Sequence, residues 1–561
     1  MSHDLDHSSL AVDEGLVSYP AAVVERYRAQ GCWAGRSLPD QLAAAFTAHA
    51  DRVALVTDEV RWTYAELEAE VRAFARGVIA TTGLRPGDRV MFQMGNVAET
   101  AVTYLGALFA GLVPVCTLAQ HGSREIELLA RHVGARGLIT QADFRDGRLL
   151  PIAESLLTDG VVDVVVVVRG GSLAGAADYR EIIAAGRDST ELEFDPDLAG
   201  VAVFQLSGGT TGLPKVAPRL HEEYAYNARQ WAAALGWTQD TTVLYPLPLM
   251  HNAGIALALQ PTLFAGATIV LAANADIDVI LDLFEAEHPN TLPLVPPAVA
   301  IRLLEAPRSK NIDFGGIEQF IVGGQKLAIE VARQLRDDLM IDVRQMFGMA
   351  EGMFLVTPDG AGEDVRFHTV GSPISPLDEV RIVDPSTGQD LPEGELGELW
   401  ARGPYTIRGY YRAQQHNSGC FTDGGFYRTG DLARAHRIGG EVYYSIDGRI
   451  KDVINRGVEK VHAEEVEELI LEHPEVENAA IVAMPDAVLG ERVCAYLVMR
   501  SGTEALTVDT LGRHLSGLGL AKYKLPERVE VRDSLPLSNV GKVARKELRD
   551  EIAGLVRTEQ A

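Results

Sequence analysis

Apolar residues recur at helical spacing in segments such as YAELEAEVRAFARGVIA (64–80), whereas VVDVVVVVRG (161–170) and RVMFQMG (89–95) are short, apolar and β-rich. This alternation runs through most of the chain. Helical patterns between fully apolar strands predict an α/β protein with largely parallel sheets buried on both faces. The stretch 254–273 is strongly apolar but is broken by Gln260-Pro261 and Gly266. It therefore predicts a buried helix followed by a strand rather than a lipid span. Near Asp431 the texture changes, as turn-rich segments containing IGGE and SIDGRIKD precede the amphipathic AEEVEELILEHPEV. We expect a start over 1–20 that is mobile, a large N-terminal core over 21–449 with several α/β subdomains, and a small, mobile C-terminal α+β domain over 450–561.

Length and charge narrow the picture. A chain of 561 residues exceeds one comfortable core. Its 47% hydrophobic and 23% charged fractions match ordinary globular proteins rather than disordered ones. Lys+Arg number 51 against 78 Asp+Glu, a net charge of −27 that repels phosphate backbones and anionic headgroups. Neither nucleic acid nor a membrane is an expected partner. A small anionic ligand remains compatible, because converging backbone N–H groups and a few cations override a screened global field. Cys32, Cys116, Cys420 and Cys494 form no C-x-x-C pair, and the acidic, polar N-terminus lacks a signal-peptide pattern, so a reduced, cytoplasmic protein is expected.

The most informative string is Ser207-Gly208-Gly209-Thr210-Thr211-Gly212-Leu213-Pro214-Lys215, which follows the apolar VAVFQL. Glycines let N–H groups converge on phosphate oxygens, while three hydroxyls and a lysine add donors. A Walker loop is excluded: Pro214 separates the last glycine from Lys215, and Val216 replaces the metal-binding hydroxyl. Alone, the string reads almost as well as a plain Gly/Thr turn.

Five further strings accompany it: QMFGMAEG (345–352), GELWARGPYTIRGYY, YRTGDL, GRIKD and SNVGKV (538–543). With SGGTTGLPK, and in this order, they resemble the adenylate-forming superfamily of acyl-CoA ligases, luciferases and peptide-synthetase adenylation domains. The resemblance implies attack of a carboxylate on the α-phosphorus of ATP, release of pyrophosphate and formation of an acyl-adenylate. It makes Glu351 a Mg²⁺ ligand and Asp431 the acceptor for the ribose hydroxyls. Arg449 approaches the nucleotide from the hinge side, and Lys542 bridges the carboxylate and α-phosphate. The implied catalytic set is Lys542, His251 and Glu351. The implied ATP site takes Ser207, Gly208, Gly209, Thr210, Thr211 and Lys215, then Gly323, Gly324 and Gln325 on the adenine side, and Met346, Phe347, Gly348, Met349 and Ala350. Singly, each acid or lysine reads as a solvated surface charge.

The acid-binding wall of the resembled family begins at Leu247-Pro248-Leu249-Met250-His251-Asn252. Amino-acid-activating members place an aspartate where this chain has Asn252, and an amide offers a donor and an acceptor without charge. The HN pair and the NRG-EK-type string are most similar to free-standing aryl-acid AMP ligases, which activate 2,3-dihydroxybenzoate or salicylate. In those enzymes this Asn contacts the ortho hydroxyl. Three positions depart from the catechol pattern: Ala253 replaces an aromatic, Leu257 a serine, and Phe354 a smaller aliphatic. With Gly324 and Gly348 these line the implied pocket. A 3-hydroxyl would face Leu257 unpaired. The expected substrate is thus an ortho-hydroxy or ortho-heteroatom aryl acid such as a substituted salicylate, 3-hydroxypicolinate, 3-hydroxyquinaldate or hydroxyanthranilate.

In the resembled enzymes the small domain turns about the GRIKD string, which makes Lys451 the hinge and brings a pantetheine thiol to the adenylate. Gly457 and Val458 fall in the implied thiol tunnel, where the family has glycine at position 458; a β-branched side chain narrows such a tunnel. The acceptor implied is an aryl carrier protein, with CoA as the alternative. A binding protein without turnover is a third reading, opposed by Glu351, Asp431, Arg449 and Lys542 together.

Overall fold

A computed structural model of the chain describes residues 15–190, 192, 194, 196–207, 214–456, 459–486, 489–518, 520–537 and 542–560. Segment 64–80 forms the helix Tyr64–Thr82, opened by a reciprocal Thr63/Glu66 cap and closed at Gly83, whose φ of +76° suits a residue without Cβ. The valine run becomes the buried strand Val164–Val168. It lies in a sheet ordered Ala177–Asp178, Val164–Val168, Ala135–Gln141, Arg89–Gln93, Val113–Val115, Val201–Ser207 and Lys215–Leu220, parallel except for the last, antiparallel pair.

A second sheet contains six parallel strands among the described residues, from Val343–Met349 through Gln319–Gly323, Thr291–Val295, Thr242–Tyr245 and Thr268–Leu271 to Val53–Val56, with antiparallel strands at its edges. One apolar cluster joins the two sheets, taking Phe92 and Val203 from the first and Leu55, Ile269 and Ile321 from the second. Helices cover the sheets as the all-apolar strands require. The stretch 254–273 is a π-helical turn, Gly254–Leu259, continued by the helix Gln260–Ala265 and the strand Thr268–Leu271. Helix then strand is the expected order; the π turn has no sequence signal.

The turn-rich texture near Asp431 is a long hairpin, Tyr427–Ile438 with Glu441–Arg449, turning at Gly439 and Gly440, both with positive φ. It belongs to a four-stranded antiparallel sheet with Glu379–Val383 and Gly397–Arg402. After a 3₁₀ turn, Ile450–Asp452, comes a separate five-stranded sheet packed with helices Ala463–Leu471, Val508–Gly517 and Arg545–Gln560. Tyr19, inside the segment expected to be mobile, is buried, meets Trp33 edge-on and donates a hydrogen bond to the Thr406 carbonyl. Among the described residues no helix is long and apolar enough to cross a membrane.

Candidate active site

The strand Val201–Ser207 ends in register with Lys215 of its antiparallel neighbour. The chain after the Gly/Thr string thus enters a strand, not the helix a Walker loop needs. Gly208, Gly209, Thr210 and Thr211 lie outside the described residues. Ser207 Oγ donates to Glu351 Oε1 at 2.5 Å, and the Tyr410 hydroxyl donates to the same oxygen. Tyr427 OH lies 2.8 Å from Tyr410 OH, and Lys215 Nζ sits 4.9 Å from the Tyr410 ring centre. Burial and the adjacent Glu351 carboxylate push the Tyr410 hydroxyl far above its ordinary range, so it remains a donor. Glu351 is buried, and the next residue, Gly352, has φ +89° with the Tyr405 carbonyl 1.7 Å from where a Cβ would stand. The tight turn that presents Glu351 accepts no side chain there.

The hairpin register sets Asp431 opposite Arg449, and Arg449 Nε meets Asp431 Oδ1 at 2.8 Å. Burial raises the Asp431 carboxyl, while Arg449 and then Lys542 pull it down. Lys542 comes from the C-terminal part of the chain, yet its Cε lies 3.7 Å from the position a Cβ of Gly324 would take. Gly324 has φ +86°, a backbone conformation that favours glycine, and Lys542 lies in ordinary van der Waals range of it. Lys542 keeps exposed surface along its length; desolvation of its ammonium and the like charge of Arg449 lower its pKa, against Asp431 and Glu464. A second tie is Lys326 Nζ to Glu468, 2.7 Å. Lys451 sits in the Ile450–Asp452 turn, its carbonyl accepting from Arg549 at 3.2 Å. Gly457 and Val458 lie outside the described residues.

On the other side of the cleft, Ala253 N–H donates to His251 Nδ1 at 3.2 Å, which leaves the ring proton on Nε2. Burial, then Lys542 and His121, hold His251 at a pKa of about 4, so the ring is neutral at pH 7. Asn252 is buried, and its Oδ1 accepts from Tyr224 OH at 3.1 Å. Ala253, Leu257, Met346 and Phe354 share one apolar cluster with Tyr224, Trp231 and Tyr405. Phe354 faces Gly348 across the strand pair, so closely that a Cβ on Gly348 would stand 2.4 Å from its ring. Its ring meets Trp231 edge-on at 5.6 Å. Met346 covers Gly323 in the same way, at 2.6 Å. Phe347 and Met349 pack into a neighbouring cluster, and the Ala350 carbonyl accepts from Arg219 at 3.1 Å. Gln325 is exposed.

Hydrogen bonds, contacts and charge interactions therefore link Ser207, Lys215, Glu351, Asp431, Arg449, Lys542, Gly324 and His251 into one neighbourhood. Sequence reading missed Tyr410 and Tyr427, although both fall inside the quoted strings, and it missed Tyr224, which carries no local signal. An α/β body whose cleft receives a lysine from a separate small domain, with a buried Asp–Arg pair and a buried carboxylate beside it, defines an adenylate-forming enzyme. The chain belongs to the AMP-binding enzyme family: that family's model matches residues 42–411, and the model of its C-terminal domain matches 465–542.

Named relatives agree. The chain is 38% identical to a salicylyl-CoA synthase / salicylate adenylyltransferase of a Streptomyces species, over 96% of this chain and 98% of that one. It is 36% identical to the 2,3-dihydroxybenzoate-AMP ligase of Bacillus subtilis, over 96% and 98%. The crystal structure of ATP-bound MatB from Rhodopseudomonas palustris superimposes with a TM-score of 0.81 at 27% identity, covering 92% of this chain and 99% of that one.

Proposed function

We propose that the protein activates an aryl carboxylic acid bearing an ortho heteroatom, using ATP, and passes the acyl group to a phosphopantetheine thiol. A carboxylate oxygen of the acid attacks the α-phosphorus, the bond to the β-phosphate oxygen breaks, and pyrophosphate leaves. The thiol then attacks the acyl carbon of the aryl-AMP, losing its proton, and AMP leaves. The observation that carries this reading is Asn252: a neutral amide, buried and hydrogen-bonded to Tyr224, next in the chain to Ala253, while Leu257 and Phe354, which the resemblance assigns to the same pocket, are buried and apolar. An ammonium-bearing acid finds no carboxylate from this residue, whereas a neutral aryl ring is suited to such walls. The names of the relatives above point to the same substrate class.

Each residue has a stated task in this reading. Lys542 supplies positive charge where the carboxylate and α-phosphate converge, Asp431 accepts from the ribose hydroxyls, and Arg449 holds Asp431 ionised and in place. Ser207, Lys215 and the segment 208–211 bind phosphates, and residues 323–325 and 346–350 flank the adenosine. His251, neutral, offers an Nε2 donor. Among the described residues no three His, Cys, Asp or Glu side chains gather into a metal site. A lone carboxylate suits Mg²⁺, which binds through one or two carboxylates and substrate phosphates, so Glu351 would hold it. When bound, the ion neutralises phosphate charge.

In the proposed second step the domain 450–561 turns on the core 21–449 about Lys451, withdrawing Lys542 and admitting the thiol past Gly457 and Val458. The thiol belongs to an aryl carrier protein, with CoA as the alternative that the Streptomyces relative's name supports. Free cysteines throughout suit the reducing cytoplasm. A 3-hydroxyl facing Leu257 costs about 1 to 3 kcal/mol, so 2,3-dihydroxybenzoate is disfavoured by about tenfold or more. Acid-dependent pyrophosphate release with ATP and Mg²⁺ across salicylate, 3-hydroxypicolinate, 3-hydroxyquinaldate, 2,3-dihydroxybenzoate, benzoate and amino acids tests the reading. Turnover of an ortho-substituted aryl acid is the expected result; turnover of amino acids alone, or of none, overturns it.

A further inference from the structure

Behind Asn252 the hydrogen bond from Tyr224 continues into a buried chain of polar side chains. Gln205 Nε2 donates to Cys116 Sγ at 3.2 Å and to Tyr224 OH at 3.0 Å, and Tyr224 OH donates in turn to Asn252 Oδ1 at 3.1 Å. All four residues are buried. A hydroxyl has one proton, so once it accepts from Gln205 that proton is committed to Asn252. Burial keeps the Tyr224 hydroxyl protonated, its pKa raised well above the ordinary value, although the Arg219 guanidinium lies 4.3 Å from its ring centre. Gln205 Oε1 is left without a partner. Running the chain the other way would put the Gln205 NH₂ group in that place instead, and an orphaned pair of donors is worse than one unpaired acceptor.

We infer that Tyr224, held by Gln205, fixes the Asn252 amide with its oxygen turned away from the acid and its NH₂ left for the ligand, so that the pocket selects aryl acids whose ortho substituent accepts a hydrogen bond. The inference rests on the aryl-acid reading of the pocket and narrows it. In salicylate the phenolic proton closes onto its own carboxylate, and the phenolic oxygen faces outward as an acceptor. A ring nitrogen ortho to the carboxylate accepts likewise. Anthranilate has the same shape, but its amino group turns an N–H outward, donor against donor. Tyr224 is thereby a positioning residue that acts through Asn252.

The test compares kcat/KM for pyrophosphate release with salicylate and with anthranilate, in the full-length protein and in Tyr224→Phe. The expected preference for salicylate in the unaltered enzyme is about tenfold or more. Tyr224→Phe frees the amide to turn, so that preference collapses to within about threefold, with the loss falling on salicylate. Gln205→Leu, which leaves Tyr224 in place but removes the donor that sets its polarity, moves the ratio the same way and serves if the phenylalanine variant is unstable. Equal use of both acids by the unaltered enzyme, preference for anthranilate, or a parallel loss for both acids in the two variants overturns the inference while leaving aryl-acid activation standing. No release with any aryl acid overturns both.

Discussion

The two walls of the cleft are built on different plans. On the proposed nucleotide side, Glu351 takes hydrogen bonds from Ser207 and Tyr410, and Asp431 is paired with Arg449, so charge is met by charge or by several donors. On the proposed acid side one amide, Asn252, accompanies the buried, apolar Ala253, Leu257 and Phe354, and Tyr224 and Gln205 stand behind it in a hydrogen-bonded chain. The first wall suits a polyanion that every turnover shares. The second suits a flat, largely apolar acid read at a single polar point, where each unpaired group costs discrimination.

Substitutions that touch one wall and spare the other break or sharpen this contrast. Lys542 faces both, so Lys542→Ala carries the largest expected effect, a fall of about 10²- to 10³-fold in acid-dependent pyrophosphate release. Its ammonium is held below the ordinary lysine pKa of 10.5, so the neutral form appears earlier as pH rises. The kcat/KM of the free enzyme accordingly falls on the alkaline side before an ordinary lysine would titrate, and Lys542→Arg moves that limb upward. Asn252→Asp affects the acid wall alone: burying a carboxylate opposite an aryl acid raises the KM for the acid by at least about tenfold, with the KM for ATP changed little. Tyr410→Phe does the reverse and least, since Ser207 still bonds Glu351. It raises the KM for ATP by about three- to tenfold and leaves the ranking of acids intact, as substrate-panel kinetics would show.

The same contrast governs what could be read from the chain. Glu351, Asp431, Arg449 and Lys542 lie in contiguous strings that carry the resemblance to the adenylate-forming superfamily. Cys116, Gln205 and Tyr224 share no contiguous string, and singly each has the appearance of a core residue; only the fold makes them one relay. Helix Tyr64–Thr82 and strand Val164–Val168 were legible because the period of their apolar residues decides them. The hairpin around Gly439-Gly440 reads in the sequence only as turn-rich segments, because Gly430, Gly439 and Gly440 and the charged Arg434 and Arg437 interrupt its apolar positions, and its long strands are defined by their antiparallel register. The π turn at Gly254–Leu259 depends on packing against Leu249, whose carbonyl lies 2.2 Å from where a Cβ of Gly254 would stand, and no local pattern encodes that.

The resting place of Lys542 over Gly324 carries one more consequence. There Lys542 meets the like charge of Arg449, offset by the carboxylates of Asp431 and Glu464. In the proposed function a triphosphate bound beside the two cations would attract both. Thermodynamic reciprocity then requires that whatever docks the small domain also tightens ATP, and that ATP docks the domain by the same factor. On the proposed reading, nucleotide affinity and docking of the small domain would then be one equilibrium measured from two ends.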